Sequence, residues 1–153
     1  MERMALPVAQ LPLKFRVPLA GYKFSTNKIY AGSHWGKRKS VKDGIASIAA
    51  VFCRPAQRIE SYPVEIRYRF CFVSRPLDTL NTAAMAKMLE DAFRSIGILE
   101  EDDPAHVARS ILEVDVLPRK KGSAQVHASR SQIDAQNEDY VEITIIPYVN
   151  TNH

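Results

Sequence analysis

Cysteine is scarce in this chain: 153 residues hold two, Cys53 and Cys71, and neither stands in a zinc-like spacing. Two thiols make no disulfide framework, and a reducing cytoplasm is the expected setting. Long apolar runs are missing as well. Lys or Arg interrupts every candidate before the ~20 residues that a membrane span needs, so no span is expected. Met1 to Gln10 carries Arg3 and a short apolar patch, too weak for a signal peptide. There is no internal repeat, no G-x-x-x-x-G-K phosphate loop and no Ser-His-Asp arrangement. His34, His106 and His127 are scattered, the usual pattern of structural histidines. Nothing points to a small-molecule cofactor. Acidic residues are absent between Glu2 and Asp43.

What is present suits one folded domain. With 46% hydrophobic and 25% charged residues, the chain has enough apolar material for a core and too much for general disorder. The whole of 1–153 reads as a single domain, with 1–12 as a flexible arm. Charge is divided unevenly. Residues 1–75 carry 14 Lys or Arg against 4 Asp or Glu, a balance of +10, whereas residues 76–153 carry 7 against 13, a balance of −6. A metal-dependent enzyme acting on nucleic acid needs both halves, cations for phosphates and carboxylates for the metal. Solvated surface networks would produce the same division.

Leu13-Lys14-Phe15-Arg16-Val17 alternates as a short strand, and 18–39 reads as loop. That loop interleaves Lys23, Lys28, Lys37, Arg38 and Lys39 with Tyr22, Phe24, Tyr30, His34 and Trp35. Cations can hold a nucleic-acid backbone while aromatics stack on bases; a solvated loop with packed aromatics is the alternative. Ser40 with Asp43 predicts a helix start, and Val41, Ile45, Ile48 and Phe52 form a core stripe at helical spacing. Val64 to Phe72 is the clearest strand. Its Val64, Ile66, Tyr68, Phe70 and Phe72 face one way, Glu65, Arg67, Arg69 and Cys71 the other.

The corner Ser74 to Asn81 leads into a helix over Thr82 to Ile96, with Met85, Leu89, Ala92 and Ile96 as its apolar face and Gly97 as its C-terminal cap. Lys87 and Asp91 share one face of it, as a surface ion pair or as part of a site. Glu100-Glu101-Asp102-Asp103 comes after the helix; like charges this close favour solvation or a bound cation. Ile111 to Leu117 and Val141 to Ile146 read as strands, Pro118 to Gly122 as a basic turn with Arg119, Lys120 and Lys121, and 123–139 as a mobile excursion. The order gives a small α/β (α+β) domain, a mixed sheet with two main helices.

Taken together, the string Asp78-x-x-Asn81 … Lys87 … Asp91-Ala92 … Gly97-Ile98 … Asp102-Asp103, with the Asn-containing basic segment Ser25 to Tyr30, resembles the RusA family over roughly Phe15 to Ile145. These are phage- and prophage-borne Holliday junction resolvases, Mg²⁺-dependent endonucleases that act as homodimers on branched DNA. The family's usual corner is Asp-x-Asp-Asn with a lysine three residues after the Asn. Here Leu80 stands where the second carboxylate belongs, and Lys87 lies six residues beyond Asn81. Anchored instead on Lys87 and Asp91, the family's two aspartates fall at Asn81 and Ala83.

The resemblance implies a metal set of Asp78, Asp91, Asp102 and Asp103 for Mg²⁺ or Mn²⁺, with Lys87 as electrostatic helper. It also implies phosphate contacts from Lys28, Lys37, Arg38, Lys39, Arg119, Lys120 and Lys121, and a bacterial cytoplasm as the site of action. The competing expectation is a catalytically lapsed relative that binds DNA or a protein partner, motivated by Leu80 and the displaced lysine. A phage adaptor without a nucleic-acid role is a third.

Overall fold

The structure, a computed structural model, describes residues 7–19, 22–31, 34–53, 57–118 and 138–151. Its elements run β1 (Leu13–Pro18), α1 (Thr26–Tyr30), α2 (Trp35–Phe52), β2 (Val64–Phe72), a 3-10 turn (Leu80–Thr82), α3 (Ala83–Ser95), β3 (Val107–Val116) and β4 (Tyr140–Pro147). The sheet order is β1-β4-β2-β3. β2 and β3 are parallel, joined by a crossover through α3, while β4 lies antiparallel to both β1 and β2. A mixed sheet under two main helices is the architecture expected from the sequence.

β2 is central because its alternation is complete. Val64, Ile66, Tyr68, Phe70 and Phe72 are all buried, and they meet Met85, Leu89, Ala92 and Phe93 of α3 in one core with Ile143 and Ile145 of β4. α3 ends as its sequence predicts. Gly97 takes a φ of 87°, a left-handed conformation that costs glycine nothing, and the Ile98 N–H donates to Phe93 O at 2.9 Å.

The opposite face of the sheet carries charge. Glu65 is buried there beneath two arginines, accepting from Arg67 and Arg109. Arg69 pairs with Asp115 and, at 3.0 Å, with Glu142. The basic face of β2 is therefore matched by its own carboxylates.

Several local expectations are corrected. The segment 18–39 is not all loop, because α1 forms within it and α2 starts at Trp35. The cap of α2 is His34, whose Nδ1 accepts from the Gly36 N–H at 3.1 Å; Ser40 and Asp43 lie inside the helix. Of the expected α2 stripe, Ile45 is buried and Val41 and Ile48 are partly buried against the core, but Phe52, the last residue of the helix, is 48% exposed, and Ala49 is the second buried position. Part of the expected arm is docked: the Ala9 N–H donates to Arg58 O at 2.8 Å, and the Arg58 N–H to Pro7 O at 3.0 Å. Most of the expected excursion at 123–139 lies outside the described residues. Its last residue, Asp139, is anchored, accepting from the Val73 N–H at 2.8 Å and from Lys23 Nζ at 2.7 Å.

Candidate functional site

The outward face of α3 repeats every three or four residues as Lys87, Asp91 and Arg94, a spacing that puts all three on one side of the helix. The loop after the Gly97 cap turns back and lays Asp102 against that face. Lys87 Nζ bonds Asp102 and stands 3.1 Å from Asp91 Oδ1. Lys42, from α2, reaches Asp91 Oδ2 at 3.0 Å, and Arg94 reaches Asp102 Oδ1 at 3.2 Å. The result is a row of alternating sign, Lys42–Asp91–Lys87–Asp102–Arg94, in which each of the four carboxylate oxygens meets one cation.

The electrostatics come from that row. The hydrogen bond from Lys87 holds the Asp102 carboxyl below its ordinary range, against desolvation that pushes it up. Desolvation works against the Lys87 charge, but its bonds to Asp102 and Asp91 outweigh it and raise the ammonium above its usual value. Glu90, the neighbour on α3, is different. Burial pushes its carboxyl up, and the Lys87 charge only partly offsets this while Asp102 and Asp91 add to it. Beneath lies Tyr68 of β2, whose hydroxyl is buried with no hydrogen-bond partner among the described residues; burial first, then the charges of Glu90 and Asp91, push its pKa well up.

Of the residues singled out in the sequence, the structure brings Lys87, Asp91 and Asp102 together. Asp78 and Asp103 are occupied elsewhere. Asp78 caps the 3-10 turn, accepting from the Asn81 N–H at 3.0 Å and from Asn81 Nδ2 at 2.8 Å. Asp103 closes the next turn, with His106 Nδ1 at 2.6 Å and the Ala105 and His106 N–H groups at 3.1 Å. Leu80 is 81% exposed on the 3-10 turn. Among the described residues, no three Asp, Glu, His or Cys side chains converge closely enough to hold a metal ion. Mg²⁺ is commonly held by one or two carboxylates, with water and phosphate completing its shell, so the Asp91 and Asp102 pair suits it in donor chemistry.

The cations divide similarly. Lys39 is tied to Asp43 at 2.8 Å along α2. Lys28 and Lys37 line a cleft beside α1, and Arg38 sits half-buried on α2. Arg119, Lys120 and Lys121 lie outside the described residues. Thr26 locks α1 to the start of α3: its hydroxyl donates to Asn81 O at 3.1 Å and accepts from the Ala84 N–H at 3.1 Å.

Sequence reasoning misses Lys42, Arg94, Glu90 and Tyr68 as members of this site. Arg94 is findable, seven residues after Lys87 and hence on its face of α3. Lys42 and Tyr68 carry no such signal, because they arrive from other elements. The chain matches no protein-family model and no curated protein. No helix among the described residues is long and apolar enough to cross a membrane.

Proposed function

We propose that the chain is a RusA-like, Mg²⁺-dependent endonuclease that cuts branched DNA, such as a four-way junction, as a homodimer in phage recombination or DNA processing. The observation that carries this reading is the meeting of Asp91 and Asp102 across Lys87. A helix and the loop after it are needed to bring two carboxylates eleven positions apart to one ammonium. Asp91 and Asp102 would hold Mg²⁺ or Mn²⁺, which when bound polarises the phosphoryl group and lowers the pKa of the attacking water. Lys87 supplies positive charge where the transition state gathers negative charge. Lys28, Lys37 and Arg38, all in the basic half of the chain, offer contacts to the backbone phosphates.

The test is incubation of an end-labelled four-way junction with Mg²⁺ or Mn²⁺, with light scattering to read the oligomer. Paired nicks that disappear in Asp91→Asn and Asp102→Asn support the reading. Intact junction with every divalent ion, while binding persists, overturns it.

One observation favours the second reading, a lapsed relative that binds DNA without cutting it. All four oxygens of Asp91 and Asp102 are already met by Lys42, Lys87 and Arg94. That reading expects salt-sensitive junction binding that is unchanged by Asp91→Asn and Asp102→Asn.

A further inference from the structure

The basic cleft beside α1 is separate from the carboxylate pair. It encloses about 440 Å³ and is walled by Tyr22, Phe24, Lys23, Lys28, Lys37 and Arg75, with no acidic residue among the described residues of its lining. Its size falls in the range of small-ligand sites, roughly 300–1,000 Å³. Lys37 and Arg75 meet no carboxylate among the described residues, and like charges gathered in one cleft repel, so the arrangement favours an anion.

The cations are not equivalent. Lys23 is committed to the scaffold, bonding Asp139 at 2.7 Å and Ser74 O at 2.6 Å. Arg75 and Lys37 find no side-chain hydrogen-bond or ion-pair partner among the described residues. Arg75 is also the one described residue other than glycine with positive φ, at 42°. A glycine would take that conformation freely, whereas an arginine is strained in it. The backbone just before it is pinned by Asp139 on the Val73 and Ser74 N–H groups and by Lys23 on Ser74 O, while the guanidinium itself makes no contact among those described. Strain of this kind is commonly kept where a side chain must be presented to a ligand.

The aromatic wall is built as deliberately. Gly44 sits in the middle of α2, where glycine weakens a helix, and a Cβ there would stand 2.2 Å from Tyr22 Cε1. The missing side chain gives the Tyr22 ring its seat against α2.

We propose that this cleft takes one unpaired nucleotide of a DNA strand, its phosphate against Arg75 and Lys37 and its base against Tyr22 and Phe24. The identity of the occupant rests on the branched-DNA reading; the cleft's preference for an anion with an aromatic face does not. An arginine fork suits a phosphate, and aromatic rings stack on any base without reading sequence. A branch point supplies such nucleotides at low cost, since its bases are the least firmly stacked.

The experiment uses the full chain in EDTA, so that no strand is cut. Two probes serve: an eight-residue oligothymidylate, and a four-way junction with 2-aminopurine at the branch. Arg75→Gly removes the guanidinium while relieving the backbone, so folding is preserved; Lys37→Gln is the second variant, and Glu60→Gln, outside both the cleft and the carboxylate pair, is the control. Affinity for the oligothymidylate should fall roughly tenfold in Arg75→Gly and measurably in Lys37→Gln, and stay unchanged in Glu60→Gln. Emission from 2-aminopurine should rise on binding wild type and stay flat with Tyr22→Leu. Wild-type affinity for oligothymidylate in Arg75→Gly, or equal emission with Tyr22→Leu, overturns the proposal. A wild type that passes these tests yet never cuts a junction with Mg²⁺ overturns the endonuclease reading and leaves the cleft standing.

Discussion

Lys87 stands on α3 one turn before Asp91, with its Nζ 3.1 Å from Asp91 Oδ1, and the same ammonium also grips Asp102. One lysine thus holds together two carboxylates that would otherwise repel. A divalent cation at this pair must compete with it.

Replacing Lys87 by Met should therefore separate two effects. Mn²⁺ affinity, read by titration calorimetry, is expected to rise roughly twofold to fivefold, the scale of an exposed ion pair. Junction cleavage is expected to fall by about 10²-fold or more, because a transition-state cation has gone. Unchanged Mn²⁺ affinity would show that Asp91 and Asp102 do not form the metal site.

Glu65 gives a stability prediction with a defined pH window. Desolvation pushes its buried carboxyl up, but hydrogen bonds from Arg67 and Arg109 outweigh this and hold it below 4.5. Glu65→Ala should cost about 2 kcal/mol in urea unfolding at pH 7, discounted because both arginines reach solvent. Since the folded carboxyl titrates lower than the unfolded one, its contribution is complete above pH 4.5 and is lost as pH falls through the folded value. The gap between wild type and variant should narrow below pH 4.5. A gap that stays constant to pH 3 would contradict the pairing.

His106 and Asp103 act in opposite directions on the pH scale. The hydrogen bond that the His106 ring donates to Asp103 raises His106 above 6.5, against desolvation, and the same bond lowers Asp103 below 3.8. The histidine's contribution is present below pH 6.5 and fades as pH rises through its folded value; the aspartate's is present above pH 3.8 and fades in acid. Wild type should therefore lose unfolding midpoint relative to His106→Ala as pH climbs from 6 to 9. Parallel pH profiles would refute the pair.

Asp139 ties the chain before β4 to the corner after β2, through Lys23 and the Val73 and Ser74 N–H groups. Asp139→Ala leaves a half-buried ammonium and two backbone donors short of an acceptor. A loss of about 2–3 kcal/mol in urea unfolding is expected. A loss below about 0.5 kcal/mol would mean that water replaces the carboxylate at no cost.

Much of the fold is legible in the sequence because β2 and α3 state their periods plainly. Alternation from Val64 to Phe72 and the Met85, Leu89, Ala92 stripe each define a buried face, and Gly97 marks the turn that ends α3. The start of α2 is not legible, because Ser40 and Asp43 resemble a cap while the true cap is a histidine ring nitrogen at His34. Within the candidate site, Lys87 and Asp91 are paired by helical spacing alone. Asp102 is one of four adjacent carboxylates, and no periodicity says which of them folds back onto α3. Lys42 and Arg75 arrive through tertiary approach, which local pattern does not encode.

The place of β4 in the sheet bears on how the chain assembles. β2, α3 and β3 are consecutive and carry Lys87, Asp91 and Asp102 among them, so the carboxylate pair can form from about fifty neighbouring residues. β1 has no such neighbour: among the described residues its only strand partner is β4, with Leu13 opposite Ile145. Closing that pair spans nearly the whole chain, the kind of contact that slows folding. The basic cleft borrows from both parts, since Lys23 is held by Asp139 just before β4 while Arg75 comes after β2. The carboxylate pair thus rests on contacts close in sequence, and the cleft on one that spans most of the chain.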